Sequence, residues 1–357
     1  MRTKVFRIFI SSTFEDMKLE RNILQNEVYE DLSKICEESG WQIEFVDLRW
    51  GINNEAKNQI MKICIDEINR CRDISPSHYF MLLIGDRYGW IPIPETIEEI
   101  HWGNLEKIAQ ELNAVELLKN HYTLDKNNIP AHYVIKDQPG TDSEAYTTLR
   151  LLMDKYVEKL VSKEIEYDHT KLEEIKLHFS GSATHQEIYH GLLDESLPSA
   201  QTIVYRRTIQ AIDSFPESFG INEYNKEQLC ELKDLIENKV DKNNLLDITV
   251  RDYNDYNSND FKEYFRDKLT KIIKTIIQRD IDENANQDIF ESDKFSQEQF
   301  LNERISIFCG RNTDLNNFSD VIQDEAPTIK YLEGISGCGK SALMAKSAQT
   351  NSENGQI

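Results

Sequence analysis

Basic charge is in short supply in this chain: 41 lysines and arginines stand against 63 aspartates and glutamates, a formal net charge of −22 at pH 7. A surface of that sign repels phosphate backbones and anionic lipid, which disfavours nucleic-acid and membrane-surface partners. Long apolar runs are missing as well. The longest candidate, Tyr79-Phe-Met-Leu-Leu-Ile84, is strand-sized, well short of the roughly 20 residues of a spanning helix. The start, from Met1 to Ile10, is too short for a signal peptide and is interrupted by Arg7. The six cysteines, at 36, 64, 71, 230, 309 and 338, contain no Cys-x-x-Cys pair and no tight disulfide framework. They read as a reduced, cytoplasmic thiol set, with Cys64 and Cys71 on one face of a helix as core packing. No internal repeat or low-complexity tract is present. What remains, 39% hydrophobic and 29% charged, is the profile of a soluble globular chain with room for two domains.

Short apolar runs alternate with longer helical patterns. Val5–Ile10, Gln42–Val46, Tyr79–Ile84, Thr202–Tyr205 and Leu245–Val250 read as five strands. Ser12-Thr-Phe-Glu15 fits a capping box, with Leu24, Val28, Leu32 and Ile35 following at helical spacing. Ile60, Cys64, Ile68 and Cys71 mark a second helix, and Phe261, Phe265, Leu269, Ile272 and Ile276 stripe a closing one. Parallel neighbours need crossover connections, so the expected fold class is α/β, a five-stranded parallel sheet wrapped by helices. The continuous apolar run Tyr79–Ile84 belongs in its centre. Residues 91–180 break the alternation and read as a largely helical insertion in a domain of about 1–280. Residues 281–300 read as a linker. A new strand–turn–helix pattern occupies 301–357.

Gly334-Ile-Ser-Gly-Cys-Gly-Lys-Ser341 matches G-x-x-x-x-G-K-S in full, after the apolar run Thr328–Leu332 and before the helix-prone Ala342–Lys346. In such a loop the backbone amides around Gly334, Gly337, Cys338 and Gly339 cradle phosphate oxygens at a helix N-terminus. Lys340 would neutralise β/γ-phosphate charge of ATP, and the Ser341 hydroxyl is the expected Mg²⁺ ligand. Only Ala342–Ile357 follow, too few residues to bring a magnesium-holding carboxylate, so an incomplete P-loop NTPase domain is expected here. Upstream, Phe308-Cys-Gly-Arg-Asn-Thr-Asp-Leu315 resembles the GR-x-x-x-L lead-in of STAND-class (NACHT or apoptotic-ATPase-like) NTPases. That likeness makes Arg311 either a nucleotide contact or a surface arginine at a helix start.

Phe9-Ile-Ser-Ser-Thr-Phe-Glu-Asp-Met17 with Glu20-Arg21, Val46-Asp-Leu-Arg-Trp-Gly-Ile52 and Ile84-Gly-Asp-Arg-Tyr-Gly-Trp90 are distinctive. Together with Tyr122–Pro130 they resemble the TIR-like domain of uncharacterised function that precedes STAND NTPases, with relatives in nephrocystin, telomerase-associated protein and bacterial defence proteins. The resemblance implies a flavodoxin-like sheet of order 2-1-3-4-5. Ligands of open α/β sheets bind beyond the strand C-termini where the order reverses. That crevice would be lined by Ser11, Ser12 and Thr13, by Gly85, Asp86 and Arg87, and by Asp47, Arg49 and Trp50. These groups would either cradle a dinucleotide or pin loops through Asp47–Arg87 or Asp86–Arg49 pairs.

TIR enzymes that cleave NAD use one glutamate on the helix before strand four, and Thr184-His-Gln-Glu187 occupies that place in chain order. Glu187 would stabilise the ribosyl cation or activate water; equally, Thr-x-x-Glu is a capping box that needs no catalysis. His185 and His190 sit about 140° apart on a helix, which excludes the i, i+4 geometry of a zinc pair. The expectation is therefore part of a STAND-type signalling ATPase. ATP and Mg²⁺ would bind the phosphate loop, an unknown protein would trigger it, and assembly would proceed through the NTPase module and TIR-like domains. The front domain would be an NAD-cleaving effector in antiviral or stress defence, or a non-enzymatic interaction adaptor.

Overall fold

A computed structural model describes residues 5–48, 59–127, 129–165, 171–194, 202–220 and 225–284, and beyond them 297, 301, 304–305, 308, 310–323, 332–333 and 339–353. Two compact units result, Lys4–Gln278 and one made mainly of Arg279–Ile357. In the first, strands β1 (Val5–Ser12), β2 (Gln42–Val46) and β3 (Phe80–Ile84) join two later ones, β7 (Ile203–Ile209) and β8 (Leu245–Val250). They form one sheet of order β2-β1-β3-β7-β8, parallel throughout. That is the 2-1-3-4-5 order of flavodoxin-like sheets, with β3 central and every one of its residues buried. No described helix is long and apolar enough to cross a membrane.

Helices cover both faces. On one lie α1 (Lys18–Ile23), α2 (Tyr29–Glu38), α10 (Tyr253–Asn257) and α11 (Asn259–Asn284). Their side of the core is marked by the edge-on contact of Tyr205 with Phe265. On the other, α3 (Ile60–Ile74), α8 (Ala183–Ile188) and α9 (Lys226–Lys239) pack Cys64, Ile68, Ile188, Leu229 and Ile236 against Phe9, Phe80 and Leu82. A π-helical turn, Leu24–Val28, separates α1 from α2. It inserts an extra residue into the helical period, so the buried positions run 24, 28, 32 and 36, and Cys36 rather than Ile35 faces the core. In α11 the inward residue is Ile273, not Ile272.

The segment expected to be a largely helical insertion also holds a sheet. Strands β4 (Thr96–Glu98), β5 (Tyr122–Asp125) and β6 (His132–Ile135) pair antiparallel in the order β4-β6-β5. Helices α4 (Glu99–Glu111), α5 (Val115–His121), α6 (Glu144–Val161) and α7 (Leu172–Ser180) complete it around a core of its own, from Trp102 to Tyr156 and Phe179. β5 and β6 are only four residues each, too short for their alternation to stand out in the sequence. The expected linker is also shorter at its start, since α11 continues to Asn284.

Five fully buried groups fasten α1 to the sheet. The Arg207 guanidinium on β7 donates to Glu20 at 2.5 Å, to Asp16 Oδ2 at 3.1 Å and to the Asp16 carbonyl at 2.7 Å. Tyr205 and Tyr256 add hydroxyl donors to the two Glu20 oxygens, at 3.2 and 2.7 Å. Phe219 and Tyr256 rings flank the guanidinium at 5.0 and 5.1 Å. Burial opposes charge on Arg207, yet Glu20, Tyr205, Tyr256 and Asp16 together raise its pKa, while burial raises that of Asp16. A guanidinium removed from such a cluster leaves carboxylates uncompensated. Arg207→Met should therefore lower the unfolding free energy by about 3–5 kcal/mol, read from the urea midpoint. A loss below 1 kcal/mol would show that the cluster contributes little.

Candidate functional site

The order of strands reverses between β1 and β3, so their C-terminal ends, and the loops that follow them, open the crevice of the sheet. Side chains alternate across β1, and that alternation splits the crevice into two sides. Ser12 points toward α1: its hydroxyl donates to Thr13 O and accepts from Arg21 Nη1 at 2.6 Å. Arg21 in turn holds Asp47, after β2, through Nε at 3.1 Å and Nη2 at 2.5 Å. Ser12 is thus the end of a strand rather than a helix cap, and α1 begins at Lys18 without a side-chain cap.

Ser11 points the other way, toward α3 and α8. Its hydroxyl donates to Glu187 Oε2 at 2.6 Å, a bond that links residues 176 apart in the chain. Burial raises the Glu187 pKa; the Ser11 bond, the nearby Cys64 thiol of α3 and the Arg21 charge oppose that rise. Burial, and next the Glu187 charge, push the Cys64 thiol pKa up. Cys64 itself sits in the apolar cluster beneath the sheet, beside Ile68 and Phe9.

The remaining crevice residues are engaged structurally. Gly85 follows β3 where no side chain fits: a Cβ there would lie 2.7 Å from Met17 Cε and 2.9 Å from Arg207 Nη2. Asp86 accepts from Ile209 N at 3.1 Å and from Lys233 at 3.0 Å, and Arg87 donates to Ser218 O at 2.9 Å. Among the described residues Asp47 pairs with Arg21, not the expected Arg87, and Asp86 with Lys233, both from helices packed beside those loops, while the expected Asp86–Arg49 pair involves a residue outside the described ones. Gly89, at φ +99°, lets the loop pass close to Thr13 and Thr184, 3.1 and 3.3 Å from a would-be Cβ. Arg49 and Trp50 lie outside the described residues.

Helix α8 starts two residues earlier than its Thr-x-x-Glu pattern implied. Ser182 is the N-cap and accepts from His185 N at 3.1 Å, so Glu187 is released from a capping role. His185 Nδ1 and Tyr88 Oη share a 2.8 Å hydrogen bond, with burial lowering the His185 pKa to about 4 and raising that of Tyr88 to about 12. A cavity of about 290 Å³ runs along the same two helices, past Met61 and Ile65 of α3 and Gln186 of α8, to Pro92–Thr96 and His178. Glu95 in its wall accepts from Met61 N at 2.7 Å and Lys62 N at 3.3 Å, capping α3 from outside the helix.

In the second unit, helix Asn312–Gln323 packs on helix Lys340–Glu353. Gly339, at φ +81°, precedes the second helix, which opens with Lys340 and Ser341 and closes its first turn by Leu343 N donating to Gly339 O at 2.9 Å. Arg311 Nη1 lies 3.4 Å from a would-be Cβ on Gly339, and Arg311 Nε pairs with Asp314 at 2.8 Å. Gly334, Gly337 and Cys338 lie outside the described residues.

Residues 7–183 match a family described as a domain of unknown function (DUF4062). The chain is also similar to the mouse NACHT domain- and WD repeat-containing protein 1, 33% identical over 141 residues, which is 37% of this chain and 9% of that protein. Human NACHT and WD repeat domain-containing protein 2 is 28% identical over 181 residues, 46% of this chain and 10% of the relative. Mouse telomerase protein component 1 is 30% identical over 118 residues, 32% and 4% of the two chains. The chain thus spans a tenth or less of these relatives, and the matched part stands in a NACHT-associated context. No solved structure gives a significant match.

A carboxyl whose folded pKa is raised adds stability fully present below its unfolded pKa, lost as pH rises through the folded value. Glu187→Gln removes that loss. Its melting temperature relative to the unsubstituted chain should therefore climb between pH 4 and pH 8, as scanning calorimetry would show. A constant difference across that range would place Glu187 in a solvated setting.

Proposed function

We propose that this chain is the effector-bearing portion of a STAND-type signalling ATPase whose TIR-like front domain cleaves the nicotinamide–ribose bond of NAD. The observation that carries the enzymatic part is the Ser11–Glu187 bond at the switch point of the sheet. Glu187 was singled out by its place before the fourth strand, and the fold brings it to a strand end where ligands of such sheets bind. Its carboxylate is buried beside the neutral Ser11 hydroxyl, an environment that suits it to face a developing positive charge. As the C1′–N bond of NAD breaks, its electron pair leaves with nicotinamide, and the ionised Glu187 offsets the charge on the ribosyl cation. Water then adds at C1′ and gives up a proton to the carboxylate.

The rest of the reading concerns the protein of which this chain is part. Lys340 and Ser341 open a 14-residue helix behind the positive-φ Gly339, an arrangement suited to the phosphates of ATP and to Mg²⁺, with Arg311 beside it. Nucleotide state would set self-association, in response to a protein trigger, in a cytoplasmic defence or stress pathway. Lys340→Ala in the longer protein should abolish ATP retention in a filter-binding assay; unchanged retention would remove the phosphate loop from the account.

A second reading, a non-enzymatic interaction adaptor, is favoured by one observation: the Gly85 side of the crevice is filled by Met17, Asp16 and Arg207. Measurement of NAD in cells expressing the triggered protein separates the two. The enzyme predicts NAD loss that Glu187→Gln reduces by about 10²–10⁴-fold; steady NAD with the unsubstituted protein supports the adaptor. The pH profile gives a finer check. Catalysis needs the ionised carboxylate, so activity should fall with acidity at a pKa above the usual glutamate range. Ser11→Ala, which removes a bond that favours the charged form, should move that limb to still higher pH.

A further inference from the structure

Phe14 is out of place for a large aromatic. It follows Ser11, Ser12 and Thr13 at the C-terminal end of β1, yet 53% of it is exposed, whereas those three residues are buried. One face of its ring is spoken for: the Arg21 guanidinium lies over it, 5.0 Å from the centroid. Arg21 is itself locked by Asp47 and Ser12. The ring is thereby held by a rigid support, and its outer surface is left to solvent. Burying such a ring in water-free contact is favourable for any flat partner, and a base stacked on an aromatic side chain typically gains about 1–3 kcal/mol.

Reach decides which part of a ligand it serves. Phe14 is three positions on from Ser11, so the two Cα atoms are at most about 11 Å apart even with the chain fully extended. A dinucleotide whose glycosidic bond lies at Glu187, beside Ser11, has its second base one pyrophosphate-linked ribose away, a distance of the same order. The aromatic at that remove from the reacting bond fits the base that does not leave.

We propose that Phe14 is a stacking platform for the adenine ring of a dinucleotide substrate and sets affinity for the adenylate end, with no part in bond cleavage. This rests on the NAD-cleaving reading of the front domain. The alternative role, a lid that keeps water from the Arg21–Asp47 pair, predicts loss of stability instead of loss of affinity.

The test uses the 357-residue chain in three forms: unsubstituted, Phe14→Ala and Phe14→Trp. Calorimetric titration with ADP-ribose gives Kd, NAD cleavage gives kcat and KM, and thermal unfolding reports the fold. Phe14→Ala should raise Kd and KM about tenfold, equal to about 1.4 kcal/mol, with kcat unchanged. Phe14→Trp should restore both. A Kd within twofold of the unsubstituted chain, or a kcat that falls while KM holds, overturns the platform. If the unsubstituted chain binds ADP-ribose but leaves NAD intact, the catalytic reading fails and the Kd values alone judge Phe14. If it does not bind ADP-ribose, both fall.

Discussion

The guanidinium of Arg207, with no exposure to solvent in the second strand from the sheet's edge, is the constraint on which the C-terminal end of this sheet depends. A cation there survives only with carboxylates and carbonyls close around it. Asp16 and Glu20 supply them, and to do so the chain after β1 must turn at once into α1 with both acids facing inward. Tyr256 must then reach Glu20 from α10, which fixes the entry into the long closing helix. Gly85 must lack a side chain, because the guanidinium passes where a Cβ would sit. One buried charge thus dictates the path of three loops. The consequence for function is that half of the crevice cannot open without breaking an ion pair.

The other half is governed by different electrostatics. On the α1 side, Arg21 and Arg207 meet Asp16, Glu20 and Asp47 in direct pairs. Across β1, one residue away, Glu187 is held by the Ser11 hydroxyl instead. Here burial outweighs the favourable neighbours, and the acid is pushed toward its protonated form. A polar group maintained at that cost beside a strand end is where chemistry is expected, whereas the paired side is where rigidity is expected. The period of two along a strand separates the two roles with no loop needed between them.

Much of this arrangement could be read from the chain itself. Five strands and the central position of Tyr79–Ile84 follow from apolar runs and crossover geometry, which are local signals. Glu187 could be singled out by its order in the chain, but whether it served a helix cap turned on Ser182, two residues before Thr184. The pairs Arg21–Asp47 and Asp86–Lys233 were missed because pattern says that a charge is buried but not which distant charge meets it. Arg207 did carry a signal. In Thr202-Ile-Val-Tyr-Arg-Arg-Thr208 alternation places Arg207 on the same face as Tyr205 and Ile203, an apolar face, and Arg206 on the other. The β4-β6-β5 sheet was invisible for a plainer reason, since strands of three or four residues have too few positions to show a period.

The extent of the family likeness can be weighed against these contacts. The matched span, 7–183, contains Asp16, Glu20, Ser11 and Cys64 but stops before Glu187 and before β7. Each side of the crevice therefore has two members inside the span and their partner outside: Ser11 and Cys64 without Glu187, Asp16 and Glu20 without Arg207. A chain limited to the span would leave two acids beneath the sheet with no cation. It would also turn β3, buried along its whole length, into an edge with an open hydrogen-bonding rim. Recognisable sequence and cooperative structure do not coincide here. The compact unit Lys4–Gln278 contains both sides of the crevice complete, and site and stability belong to it together.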